Sequence, residues 1–179
     1  MTEIREWTQL AFLVVGGFIA ISAFFQNMRQ RRVENALKFI SLFRDGLRSG
    51  DLEKWDNLFR NSTELAGMEP GCYARDDGST GSVGEFFSEG APDGYALSRM
   101  AGSLEVVAYQ VVSGAADART VFFELGQLLR FFKHQLSAVP SSADGQNLLQ
   151  FGFPNIEKFF KKYGKKSEEW PTRVYSYIE

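Results

Sequence analysis

The chain has 179 residues, enough for one domain plus an anchor and too few for two full domains beside a membrane span. Its net charge of -2 provides no overall field that would recruit nucleic acid. A single cysteine, Cys72, excludes an intrachain disulfide, and with a single histidine, His134, it leaves too few ligands for a Cys/His zinc site.

The N-terminal segment decides the class. Leu10 to Phe25 reads LAFLVVGGFIAISAFF, without a charge and with one hydroxyl, Ser22. With Trp7, Thr8 and Gln9 included, the charge-free helix is about 28 Å long, close to the hydrocarbon thickness of a bilayer. Trp7 falls where an interfacial aromatic anchor is expected. A cleaved signal peptide is the first competing reading, with Ala20-Ile21-Ser22 as its cleavage motif. The start is not basic, however, since Glu3 and Glu6 outweigh Arg5, and arginines follow at 29, 31 and 32. A buried helix of a soluble domain is the second, and so long a charge-free run is unusual in so small a domain. The expectation is a transmembrane helix over 7–26.

Orientation follows from the flanking cations. Arg5 stands on one side, and Arg29, Arg31, Arg32 and Lys38 on the other. Positive charge is retained in the cytoplasm, so residues 1–6 are expected outside and the rest inside. No Gly or Pro interrupts Phe18 to Asp45, and Val33, Leu37, Ile40 and Phe43 recur at helical spacing, with Ala36 and Leu47 nearby. The span is therefore expected to continue into an amphipathic stalk over 27–48, as one helix from about 4 to 48. A cytoplasmic helical domain over 49–179 follows.

Within that domain, a helix starts near Asp51, with Leu52, Trp55, Leu58 and Phe59 on its apolar face. Residues 67–94 are rich in glycine, with at most a helical turn near Val83 to Phe87 and no hairpin signal. From Asp51 to Asp93 the local net charge is -7, from ten acidic and three basic residues. Leu97, Met100, Leu104, Val107 and Val111 then mark a helix ending at Gly114. Asp117 is the expected N-cap of the next, whose stripe is Val121, Leu125, Leu128, Phe132 and Leu136, widened by Phe122 and Leu129. The short link predicts an antiparallel pair. After a loop at 140–147, a helix is expected over Asn155 to Tyr163, with Gly164 as its cap. The fold class is all-α.

No motif carries chemistry. The Asp76-Asp77-Gly78-Ser79-Thr80 run lacks the alternating acids of a calcium loop, and Phe87 stands where the closing glutamate belongs. The glycines of 78–84 do not form a phosphate loop. Nothing in the pattern brings Cys72 and His134 together. No cofactor, metal or catalytic residue is assigned.

Candidate interaction residues remain. Gly16, Ala20 and Ala23 share one face of the span, where small residues let another helix approach closely. The expected partners are the bilayer and either a membrane protein or a second copy of the chain. Arg29, Arg31 and Arg32 suit topology and lipid headgroups. Lys158, Lys161, Lys162, Lys165 and Lys166 suit an anionic leaflet, an acidic partner or simply a solvated face. Phe-Phe pairs at 24–25, 86–87, 122–123, 131–132 and 159–160 require either a wide core stripe or a second apolar surface.

Two functions compete. The first is a non-enzymatic, membrane-tethered interaction or accessory protein. The second is a tethered enzyme or signalling effector whose site is formed by the 67–94 loop and adjacent helices. In that reading Glu105, buried and paired with an arginine, is the leading residue. The run Ser103-Leu104-Glu105-Val106-Val107-Ala108-Tyr109, the turn Val112-Ser113-Gly114-Ala115-Ala116-Asp117 and the later Phe153-Pro154-Asn155-Ile156 resemble a bacterial family of small single-span proteins. The likeness covers about residues 30–179. It implies a span in a bacterial inner membrane, an arginine-rich juxtamembrane helix and a helical domain, and it implies no activity.

Overall fold

A computed structural model describes residues 2–47, 51, 71–74, 79–87, 94–140 and 145–173. The protein is predominantly helical. Its helices are α1 (Thr2–Asp45), α2 (Gly94–Val112), α3 (Ala118–Ala138), α4 (Leu148–Gly152) and α5 (Pro154–Glu168). A two-stranded antiparallel ribbon pairs β1 (Cys72–Ala74) with β2 (Thr80–Ser82), and a 3-10 turn follows over Val83–Phe87. The helix expected from Asp51 onward lies, apart from Asp51 itself, outside the described residues.

α1 is a single unbroken helix. Absence of Gly and Pro after Gly17 explains its continuity, and Gly46 follows its last residue. Its two halves have different surroundings. Every described side chain from Trp7 to Arg32 is exposed, whereas Ala36, Ile40 and Phe43 are buried against the domain. Of the expected stripe, Ile40 and Phe43 are buried and Val33 is half-buried, and Leu37 is the exception. Leu37 stays 52% exposed while Ala36 is fully buried. The cause is the row that the neighbouring turn covers. Asp117 N donates to Arg32 O (3.0 Å) and Asn35 Nδ2 to Ala115 O (3.0 Å), so the turn sits over the 32–36–40–43 side.

α2 and α3 meet at a tightly specified turn. Gly114 N donates to Val111 O (3.1 Å) and Ala115 N to Gln110 O (2.9 Å), the two bonds of a Schellman ending. Gly114 has a φ of 82°, which glycine adopts without a Cβ clash. Asp117 then caps α3, accepting from Thr120 N at 2.8 Å. The apolar stripes face inward. Met100, Leu104, Val107 and Val111 of α2 pack with Val121, Phe122, Leu125, Leu128, Leu129, Phe132 and Leu136 of α3 and with Ile156, Phe159 and Phe160 of α5.

α5 starts differently from α3. Phe153 gives it no side-chain cap, and Pro154 occupies its first turn, where the missing N–H costs nothing. The cap comes from another helix. Glu105 of α2 accepts from Asn155 N (2.7 Å), Asn155 Nδ2 (2.7 Å) and Ile156 N (2.9 Å). Farther along, Lys162 Nζ donates to Val112 O (3.1 Å), so α2 and α5 run side by side in the same direction. The helix extends to Glu168, past the expected end at Gly164. α4 is an addition to the sequence reading, fixed by an Asn147–Gln150 capping box.

The ribbon also departs from the sequence reading, which gave no hairpin. Tertiary contacts hold it. Gly71, at a φ of 89°, donates its N–H to the buried Gln135 side chain (2.7 Å) and accepts from Val83 N (2.7 Å). A Cβ there would lie 3.2 Å from that of Ala138. A long-range amide bond of this kind leaves no trace in local propensity.

The C-terminal stretch closes the core. Trp170 packs edge-on to Phe122 (5.6 Å), and Arg173 N donates to Phe123 O (2.7 Å). Gly126 makes room for this stretch, because a Cβ there would stand 2.7 Å from Thr172 Cγ2 and 3.0 Å from the Phe122 ring. Gly126→Ala is expected to cost about 1–3 kcal/mol through overpacking. Hydrogen exchange should show the Arg173 amide losing protection first.

Candidate functional site

Two surfaces stand out: the uncovered apolar half of α1, and the end of the domain nearest to it. On the first, Trp7, Phe12, Leu13, Phe18, Ile19, Phe24 and Phe25 are each more than 60% exposed. They point to all sides of the helix, and no described part of the domain covers them. The buried-soluble-helix reading is not supported, since none of the most apolar window is buried. Gly16, Ala20 and Ala23 are exposed on this half, and a Cβ at Gly16 would meet nothing within 4 Å. From Gly16 to Ala36 the helix advances twenty residues, a rotation of about 200° beyond full turns at 3.6 residues per turn. The small-residue face therefore points roughly away from the side that carries the domain.

The second surface begins where α1 leaves the apolar stretch. Arg29, Arg31 and Arg32 are exposed, and the backbone of Arg32 accepts from the α2–α3 turn. Arg119, in the first turn of α3, is exposed beside that turn. Lys162 reaches the same end of the domain through Val112 O, with its ammonium also 5.3 Å from the Tyr163 ring centroid. Of the five lysines singled out in sequence, Lys162 alone is placed there by a hydrogen bond among the described residues. Lys161 is paired with Glu157 (3.0 Å), Lys158 is exposed one turn before Lys162, and Lys165 and Lys166 occupy the last turn of α5, where cations suit the helix dipole. Arg119 was not a sequence candidate. Only its position in the first turn after the capping Asp117 could have signalled it.

The Glu157 carboxyl is held below the usual carboxylate range, chiefly by its hydrogen bond with Lys161 and then by one from Gln150, with burial acting the other way. A lowered folded-state value means that this contribution is present above the unfolded pKa and is lost as pH falls through the folded one. Acid unfolding of Glu157→Gln should accordingly show a shallower pH dependence than that of the parent chain.

Glu105 is not the residue that the effector reading required. It is half-buried rather than buried, and its partners among the described residues are Asn155 and Ile156 rather than an arginine. A carboxylate holding two backbone N–H groups of a helix start has a structural task. Cys72 lies half-buried on β1 and His134 lies exposed on α3, and among the described residues no hydrogen bond joins them. The described residues contain no group of three or more His, Cys, Asp or Glu side chains able to hold a metal ion. Asp76, Asp77 and Gly78 of the calcium-like run lie outside the described residues.

A cleft of about 310 Å³ between α3 and α5 is lined by Arg130, Lys133, His134, Ser137, Phe160 and Ser167 among others. Its cations are engaged in packing. Arg130 donates to Ser167 O (2.7 Å) and lies 4.8 Å from the Phe122 ring centroid, and Lys133 lies 4.8 Å from that of Phe160. These contacts tie α5 to α3. The cleft was not a sequence candidate, and only the 130–133–134–137 spacing on one helix face could have signalled it.

Two of the Phe-Phe pairs divide as helical geometry requires. Phe122 is buried while Phe123 is 42% exposed, and Phe132 is buried while Phe131 is half-buried. Phe159 and Phe160 both reach the core. No family model, curated protein or solved structure matches this chain, so its membership of a bacterial family is not shown.

Proposed function

We propose that this chain is a membrane-anchored, non-enzymatic interaction or accessory protein. In this reading residues 7–26 cross the bilayer once, with the N-terminus outside and the helical domain in the cytoplasm. Residues 27–48 form the stalk that carries the domain. The observation that carries it is the apolar half of α1, charge-free, exposed on every side and continuous with the helix against which the domain packs. Water would not tolerate so much contiguous apolar surface, and a hydrocarbon layer covers it without further contacts. The partner in the membrane is a second helix, from another protein or another copy, seated on the Gly16, Ala20 and Ala23 face. Since that face points away from the domain, the chain's own bulk leaves it accessible.

The effector alternative draws no support from its leading residue, Glu105, which caps α5, and much of its 67–94 loop lies outside the described residues. Alkaline carbonate extraction tests the span: the protein should stay in the membrane pellet, and its release would end the proposal. Cysteine labels at Thr2 and at Ser176 test orientation, and labelling of Ser176 from outside intact cells would reverse it. Purification in mild detergent should yield a discrete complex, either a homo-oligomer or a stoichiometric membrane partner, and a clean monomer would count against the interaction role.

A further inference from the structure

We infer that the α2–α3 turn end of the domain rests on the lipid headgroup layer, where Arg119 and Lys162 join Arg29, Arg31 and Arg32 in holding phosphate-bearing anionic lipids. The inference rests on the proposed span and adds what the domain does beside it. Its basis is the height at which the domain is fixed. α1 has no break between the apolar run and the stalk, so the membrane sets the position of every later residue on it. Asp117 N to Arg32 O and Asn35 Nδ2 to Ala115 O then fasten the turn at 113–117 to α1. Arg32 follows Phe25 by seven residues, or about 10 Å of helix rise. The headgroup layer occupies roughly 5–7 Å on each side of the hydrocarbon core. The turn thus sits about 3–5 Å beyond the headgroups, a gap that long basic side chains span.

The chemistry at that level is cationic. Arg29, Arg31 and Arg32 ring the helix, Arg119 projects from the first turn of α3, and Lys162 is drawn to Val112 O, one residue before the turn. Among the described residues, two carboxylates are near. Asp117 is engaged in capping through Thr120 N and Oγ1, and Glu34 accepts from Gln30 one turn away on α1. The exposed basic groups face a surface of opposite charge at less than a Debye length, where screening is incomplete. A partner protein would need acidic groups in the same thin layer, whereas the leaflet supplies them wherever the span is inserted. Guanidinium and ammonium groups both suit phosphate, the arginines by paired donors and the lysine as a point charge.

The test uses the full chain in nanodiscs of phosphatidylcholine, with or without phosphatidylglycerol. A fluorophore on Ser113→Cys, in a Cys72→Ser background, should be strongly quenched by headgroup-labelled lipid, and one on Ser137→Cys only weakly. Native mass spectrometry should show retained phosphatidylglycerol in preference to phosphatidylcholine. Arg119→Ala with Lys162→Ala should lower that preference, on the order of five-fold for each cation removed. Lys133→Ala, on the far part of α3, should leave it unchanged. Equal quenching at the two positions, or an unchanged lipid preference in the double variant, with the protein integral to the disc, would sink this inference and leave the span intact. Failure of the chain to enter the disc would overturn both.

Discussion

Phe122→Ala is expected to be the most damaging single truncation, at about 3–5 kcal/mol. Phe122 is fully buried on α3. Its ring stacks on Phe159 of α5 (6.1 Å), meets Trp170 edge-on (5.6 Å) and lies under the Arg130 guanidinium (4.8 Å). Removing it opens a cavity where three segments of chain converge, and each loses dispersion contacts that the others cannot replace. Domains of this size are stable by about 5–15 kcal/mol, so the loss is a large share of the total. Denaturant unfolding in detergent micelles, followed by circular dichroism, measures it. Phe123→Ala is the matched control. That side chain is 42% exposed, and its loss should cost less than about 1 kcal/mol. Equal effects at the two positions would contradict the assignment of core and surface.

Glu105→Ala is expected to cost about 2–3 kcal/mol, more than the loss of an ordinary exposed cap. The substitution leaves Asn155 N and Ile156 N without their acceptor and removes the contact that fixes the start of α5 against α2. The negative charge at that helix start is also lost. Glu105→Gln keeps an acceptor but not the charge, and should recover roughly half of the deficit. Because α5 carries Ile156, Phe159 and Phe160 into the core, its fraying should be cooperative with the rest of the domain. Stability measurements on the two variants separate a cap from a catalytic group. A residue doing chemistry would lose function in the Gln variant at little structural cost.

The α3 stripe shows how far periodicity carries. Val121, Leu125, Leu128, Phe132 and Leu136 were assigned by spacing, and all five are buried. Asp117 was readable as a cap and Gly114 as a helix ending, because both depend on the backbone of a few adjacent residues. The charge-free run was equally readable, since length and composition suffice to define an apolar helix. The failures share the opposite property. Leu37 looked like a core position, yet which row of α1 is covered depends on where the α2–α3 turn lands. Glu105 invited a chemical reading because its partners lie 50 residues away in sequence. The β1–β2 ribbon was invisible because a buried Gln135 on α3 anchors it.

The sequence by itself determined the class of this protein: a helical chain that begins with an apolar helix able to cross a membrane and flanked by arginines. It did so because hydropathy, charge and helical period are local quantities. Only the tertiary structure decided which side of α1 carries the domain, how far from the apolar stretch the domain begins, and which basic side chains share that end with Arg29, Arg31 and Arg32. Those features depend on the hydrogen bonds from Asp117 N and Asn35 to α1 and from Lys162 to α2. Their partners meet only when helices distant in sequence pack together.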